Sequence, residues 1–144
     1  MKIELTTVIK RPIEEVFEFL SNAENNPKWD LDFLEAKKTS EGPIGVGTTW
    51  RFVQKVFGQR LESEAEVTEY EPNWKSTLES KSPFPMKGQF TFESVEGGTQ
   101  VTFKVEVEPG GFFKLAEPLL APMMKRQGEA DFANLKAFLE TGTV

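Results

Sequence analysis

Proton-transfer chemistry in this chain falls to carboxylates, lysines, arginines, the single Tyr70 or water, because its 144 residues include no histidine and no cysteine. That composition removes Ser-His-Asp and Cys-His nucleophiles, disulfides, thiolate metal sites and imidazole-ligated metals. Five residues stand where a proton could be moved. Asp30 and Asp32 follow Trp29 in SNAENNPKWDLD, and Glu69 and Tyr70 close an alternating run. Asp131 shares a helical face with Met124 and Leu135, and Gln127 lies one turn before it. A general acid or base must come within about 3 Å of the proton it moves, directly or through one water. Each of the five can be read as a solvated or capping group. Asp131 is the one whose stripe could orient the polar head of a ligand, although it could equally sit at the solvent boundary. The acidic run LESEAEVTEYE reads as the solvent face of a strand. Alternation spreads its carboxylates along a line instead of wrapping them round an ion, so neither metal nor cofactor is expected.

The elements that must position these groups follow from periodicity. One domain over residues 1–144 is expected from the length, with enough chain to bury a core. Ile3, Leu5, Thr7 and Ile9 alternate with polar residues, which predicts a half-buried strand. Pro12, Glu14 and Glu15 suit a helix start, and Ile13, Val16, Phe17 and Leu20 form its apolar stripe. Asn22 can cap a second short helix that Pro27 interrupts. From about Phe33 to Glu108 the pattern is consecutive strands and turns. From about Met123 to Glu140 it is one long helix, with residues 112–122 irregular or kinked at Pro118 and Pro122.

Three hairpin registers can be proposed from turn chemistry and face matching. A Gly58-Gln59 turn pairs Phe57 with Arg60, Lys55 with Glu62 and Arg51 with Glu66. A Pro72-Asn73 turn sets Leu78 beside Val67 and Ser80 beside Ala65, and leaves Glu66 opposite Glu79 without an explanation. A Gly97-Gly98 turn pairs Phe92 with Phe103 and Phe90 with Val105, with Lys87 meeting Glu108 outside.

These registers put Trp50, Phe52, Leu78, Met86, Phe90, Phe92 and Phe103 on one apolar face. Gln54, Ser63 and Ser80 are its neutral polar members, and Ala65 and Gly88 are small. None of the central inward positions is ionisable. Small residues there leave either a cavity or room for a closely packed helix. From the last third of the chain, Phe113, Leu120, Met123 and Met124 add soft apolar groups beside the prolines, with Gln127 and Asp131 as possible polar contacts. Together with Trp29 these are the candidate ligand-binding residues.

The order of strand, two short helices, six strands and a long helix resembles the START-like (SRPBCC) superfamily, and within it the polyketide cyclase/dehydrase and lipid transport branch. The stretches carrying the resemblance are IKRPIEEVFEFLSNAENNPKW, GPIGVGTTW, EAEVTEYEPNWKSTLES, GGTQVTFKVEVEPGG and ADFANLKAFLE. It implies an α+β helix-grip fold, a curved antiparallel sheet of about seven strands around the C-terminal helix. It also implies a cavity for a hydrophobic small molecule: a lipid, a quinone or a polyketide-like aromatic. No catalytic motif is carried over. The leading expectation is therefore binding or carriage without catalysis. A cyclase or dehydratase acting on a poly-β-keto chain is the alternative, and a carboxylate or arginine pointing into the cavity would favour it. A third possibility resembles Hsp90-activator domains and expects a collapsed core with an exposed apolar patch.

The formal charge of -6 argues against nucleic acid and anionic membrane surfaces as partners. No apolar run approaches a membrane span, and MKIELTTVIK lacks the apolar core of a signal peptide. A cytoplasmic protein, monomeric or weakly dimeric, is expected. Trp29 is expected to point inward at the rim of the cavity, near the C-terminal helix.

Overall fold

The computed structural model describes residues 1–82, 84–108 and 111–142, with the backbone alone for 111–113. Strand β1 (Lys2–Ile9) leads into helix α1 (Ile13–Ser21) and a 3-10 turn (Ala23–Lys28). Strands β2 (Phe33–Lys38), β3 (Thr49–Val56), β4 (Gln59–Glu71), β5 (Lys75–Ser80), β6 (Met86–Val95) and β7 (Gly98–Val107) follow, and helix α2 (Gly111–Thr141) ends the chain. The strands form one seven-stranded antiparallel sheet in the order β1-β7-β6-β5-β4-β3-β2.

Helix α1 forms as its stripe predicts, with Val16, Phe17 and Leu20 buried and Glu14 and Glu15 in the first turn. The Asn22 side chain accepts the Glu24 amide at 3.1 Å and starts the 3-10 turn, which runs through Pro27.

Two hairpins depart from the expected registers, each by two residues. Val56 pairs with Gln59, so the first turn is Phe57-Gly58, and both residues have positive φ, 49° and 80°. That is the primed geometry whose twist suits a two-residue hairpin. Trp50 therefore faces Ala65, Phe52 faces Ser63, and Lys55 meets Arg60 in place of Glu62. Arg51, opposite Glu64, instead reaches Glu62 at 2.9 Å and Glu35 at 3.4 Å. In the second case Val95 pairs with Gly98, Phe90 with Phe103 and Phe92 with Val101. Gly98 pairs within the strand, and the position requires glycine because a Cβ there would lie 2.2 Å from the Ile9 carbonyl oxygen beside β7. A slip of two residues keeps every side chain on its own face, so the inner and outer faces are as expected. The β4–β5 hairpin has Val67 opposite Leu78 and Glu66 opposite Glu79, and then shifts between Val67 and Glu69.

Helix α2 is continuous through Pro118 and Pro122, where the sequence predicts an irregular stretch. A helical proline removes the N–H that the carbonyl four residues earlier would accept. Here those carbonyls belong to Lys114 and Pro118, both at exposed positions where water can satisfy them.

The core is divided. Ile3, Leu5 and Ile9 of β1 pack with α1, with Val101, and with Phe132 and Leu135 of α2. A second cluster joins Phe33, Trp50, Phe52, Ala65 and Val67 on the β2–β4 side. Helix α2 packs chiefly on β1. The approach is close at Gly128, where a Cβ would lie 2.5 Å from Leu5 Cδ1. A helix drawn to one edge of the sheet leaves space between itself and the middle strands.

Candidate functional site

A cavity of about 510 Å³ fills the gap between the two clusters. Its hydrocarbon walls are Ile3 and Leu5 of β1, Phe52 of β3, Leu78 of β5, and Phe90, Phe103, Val105 and Val107. Ala65, Gly88 and Ser80 sit at mid-sheet, where larger side chains would fill the space. Gly88 serves a second purpose: a Cβ there would come within 3.1 Å of the Phe103 ring, which stacks on Phe90 with centroids 4.4 Å apart. Met86 and Gln54 complete the sheet side, and Met123, Met124, Gln127, Gly128 and Asp131 form the helix side.

At one end the wall turns polar. The 3-10 turn and the loop after it bring Asn26, Trp29, Asp30 and Asp32 against α2. Trp29 is only 6% exposed, and its ring meets Phe132 edge-on, with centroids 6.1 Å apart. Asp131 is 8% exposed, and its Oδ1 accepts Gln127 Nε2 at 3.2 Å. Burial, reinforced by the nearby charges of Asp30 and Asp32, pushes its pKa up to about 7 against the opposing Gln127 hydrogen bond. Burial also raises Asp30, to about 6. The Asp32 and Phe33 backbone amides resist that rise, and the Asp32 charge adds to it. Acidic groups tuned towards neutrality inside a cleft are what proton transfer or ligand recognition requires.

The other two candidate acids lie elsewhere. Glu69 pairs with Lys75 at 2.8 Å and accepts from Thr77 and Gln89, and the bonds from Lys75 and Thr77 hold its pKa down against its partial desolvation. Tyr70 packs its ring on Phe17 at 5.3 Å, and burial, with the Glu18 charge, raises its hydroxyl pKa. Neither lines the cavity.

Of the candidate ligand-binding residues, Trp29, Phe52, Gln54, Ala65, Leu78 and Ser80 are in the wall, as are Met86, Gly88, Phe90 and Phe103. Met123, Met124, Gln127 and Asp131 join them from α2. Four others are not in the wall. Trp50 is 1% exposed and stacks behind Phe52 at 6.5 Å, and Phe92 packs on Phe17 at 5.1 Å. Ser63 lies beside Phe52, and Leu120 lies higher on the helix. The Phe113 side chain is outside the described residues. Residues the sequence does not single out as ligand contacts include Ile3, Leu5, Asn26 and Gly128. A glycine in the middle of a helix is the available signal for the last, since it costs helix stability unless a close approach needs it.

A wider depression of about 890 Å³ is bordered by Glu64, Glu66, Glu79, Lys87 and Glu106 of the outer face and shares Ala65, Ser80 and Met86 with the cavity. Its charged rim suits water better than hydrocarbon. Among the described residues no group of three or more His, Cys, Asp or Glu side chains could hold a metal ion, and no helix is long and apolar enough to cross a membrane.

A family model described as polyketide cyclase / dehydrase and lipid transport matches residues 1–140. No curated protein matches the chain. Among solved structures, a protein from Thermus thermophilus is similar at 17% identity and a TM-score of 0.84, with 100% of both chains covered. A START superfamily protein from Mycobacterium smegmatis is similar at 15% identity and a TM-score of 0.76, with 99% of each chain covered. The di-domain ARO/CYC StfQ of the steffimycin biosynthetic pathway is similar at 12% identity and a TM-score of 0.74, over 96% of this chain and 50% of that one. The architecture they share is the helix-grip fold, a curled sheet and a long C-terminal helix.

Proposed function

This chain belongs to the polyketide cyclase / dehydrase and lipid transport family, and on that premise we propose that it binds or carries a hydrophobic small molecule. The observation that carries this is the cavity of about 510 Å³, walled by hydrocarbon and aromatic side chains and left open by the one-sided seating of α2. A lipid chain, a quinone or a polyketide-like aromatic fits that lining. Burying roughly 250 Å² of apolar ligand surface would contribute about 6 kcal/mol before the costs of association. The formal charge of -6 argues against polyanions as partners.

Native mass spectrometry of freshly purified protein, followed by solvent extraction of any adduct, tests the proposal. A retained apolar compound, released on denaturation, is the expected result. Protein that stays empty when challenged with lipids, quinones and aromatic polyketides would overturn it.

One observation supports a catalytic version of this function. Asp30 and Asp131 reach the cavity wall with acidities near neutral, so a proton donor and acceptor stand beside any bound substrate. Folding of a poly-β-keto chain in the cavity would do most of the work, and the carboxyls would move protons. Bound ligand together with no turnover of a keto substrate would leave carriage as the function.

A further inference from the structure

The solvent face of the first half of α2 is poorly suited to water. A helix that packs by one face ordinarily turns polar and charged groups outward. Here Leu115, Leu119 and Met123 fall at i, i+4 and i+8 on one stripe, and they are 85%, 75% and 53% exposed. Pro118 and Pro122 are exposed between them. The remaining exposed side chains of 114–126 are Lys114, Lys125 and Arg126, which form no ion pair among the described residues. The segment's one carboxylate, Glu117, is paired with the Met1 ammonium at 2.8 Å. The exposed positions of 114–126 therefore present hydrocarbon and positive charge alone, in a chain whose formal charge is -6.

That total is an average over the molecule. Glu62, Glu64 and Glu66, for example, lie on the face of β4 opposite to Ala65, which lines the cavity. At physiological salt a charge is screened within about 8 Å, so a docking face is governed by its own sign. Cations beside an exposed apolar stripe suit an anionic lipid surface, where the stripe can sink below headgroups that the cations contact. An acidic protein groove offers the same charge. Met123 favours lipid, because it is exposed in the stripe and also lines the cavity, as does Phe57, 47% exposed. The face that adsorbs is then continuous with the wall that an apolar cargo must pass.

We infer that residues 114–126 of α2 dock the protein on an anionic bilayer, with Leu115, Leu119 and Met123 at the acyl boundary and Lys114, Lys125 and Arg126 among the headgroups. The choice of lipid over protein rests on the cavity's proposed role as a carrier site, whereas adsorption itself needs no ligand.

Flotation with vesicles of phosphatidylcholine alone, and of phosphatidylcholine with an equal part of phosphatidylglycerol, tests the inference. Wild-type protein is expected to float with the mixed vesicles, far less with the neutral ones, and to be released by high salt. Lys125→Gln combined with Arg126→Gln should weaken binding by roughly 30-fold, about fivefold for each cation removed. Leu115→Ser combined with Leu119→Ser should weaken it by about tenfold or more. All four positions are exposed, so the thermal midpoints should be unchanged and show that the variants are folded. Protein that stays in solution with both kinds of vesicle would overturn the inference. If the leucine substitutions then dissociated a dimer, the stripe would belong to a second copy of this chain. Binding that persists in both variants would overturn the assignment of this face. Nile red fluorescence without vesicles reads the cavity by itself, so protein that floats but does not bind the dye would support the docking face and remove the carrier role.

Discussion

Replacing Trp29 with alanine is expected to lower the stability of the protein by about 3–5 kcal/mol, the cost of deleting a large buried ring whose space does not fully collapse. The ring is 6% exposed, belongs to the same cluster as Leu5, Phe17 and Leu135, and meets Phe132 edge-on at 6.1 Å. Such an aromatic pair adds about 0.5–1.5 kcal/mol to the area it buries. The residue also faces the cavity, so the same change enlarges the site and should speed release of a bound apolar molecule. Urea denaturation measures the first effect, and dye release after dilution measures the second. Phenylalanine at this position keeps most of the apolar area and removes the unpaired N–H, so Trp29→Phe should cost under about 1.5 kcal/mol. An alanine variant as stable as its parent, but leaky, would make Trp29 a lid that contributes nothing to the core.

Replacing Asp131 with asparagine should have the opposite sign. The native carboxyl titrates at about 7 against an ordinary value of 3.8, so between these pH values the folded chain holds a proton that the unfolded chain has released. Stability therefore falls as pH rises from about 4 to about 7, and is level above that window as far as this group is concerned. Roughly three pH units of displacement correspond to about 4 kcal/mol at most. Asparagine cannot ionise and can still accept from Gln127, so Asp131→Asn should be more stable than the parent at pH 8 by roughly 2–4 kcal/mol. Its thermal midpoint should rise by roughly 2–4 °C for each of those kcal/mol. At pH 4 the two proteins should differ little. Thermal melts at pH 4, 6 and 8 check the pattern, and a variant less stable than its parent at pH 8 would contradict it.

The faces of the sheet were legible in the sequence because alternation is local: Trp50, Phe52 and Ala65 declare their side wherever the turn falls. The turns were harder to place. Phe57 adopts a positive φ that favours glycine, so turn chemistry alone points to Gly58-Gln59 as the centre. Gly98 is fixed by the Ile9 carbonyl, far earlier in the chain, which no hairpin rule can see. The prolines of α2 predict a break, and the helix runs on with the carbonyls they strand at the exposed positions Lys114 and Pro118, where water can reach them. The site divides in the same way. The apolar wall followed from strand parity, and Asp131 from helical spacing. Its meeting with Asp30 depends on a 3-10 turn and a helix separated in the chain by the whole of strands β2 to β7.

The seating of α2 bears on how a molecule enters. Near its C-terminal end the helix is fastened several times: Glu140 accepts the Lys10 amide at 2.8 Å, Arg11 reaches the Glu140 carbonyl at 2.8 Å, and Lys136 reaches the Val8 carbonyl at 2.6 Å. Leu135 beside them is fully buried. The other end is tied through Glu117 to the Met1 ammonium at 2.8 Å, while Leu115 and Leu119 are 85% and 75% exposed. The helix is thus held unequally, by packing and several hydrogen bonds at 135–140 and by the Glu117 ion pair beside exposed leucines over 114–124, where Met123 and Met124 border the cavity. Hydrogen exchange should report this as a gradient, with amides of 114–124 exchanging faster than those of 130–139. An apolar ligand in the cavity should slow the first group and leave the second unchanged, whereas uniform exchange along the helix would show that it is held evenly. Loading would then cost the bending of a few turns, and the sheet beneath would stay folded throughout.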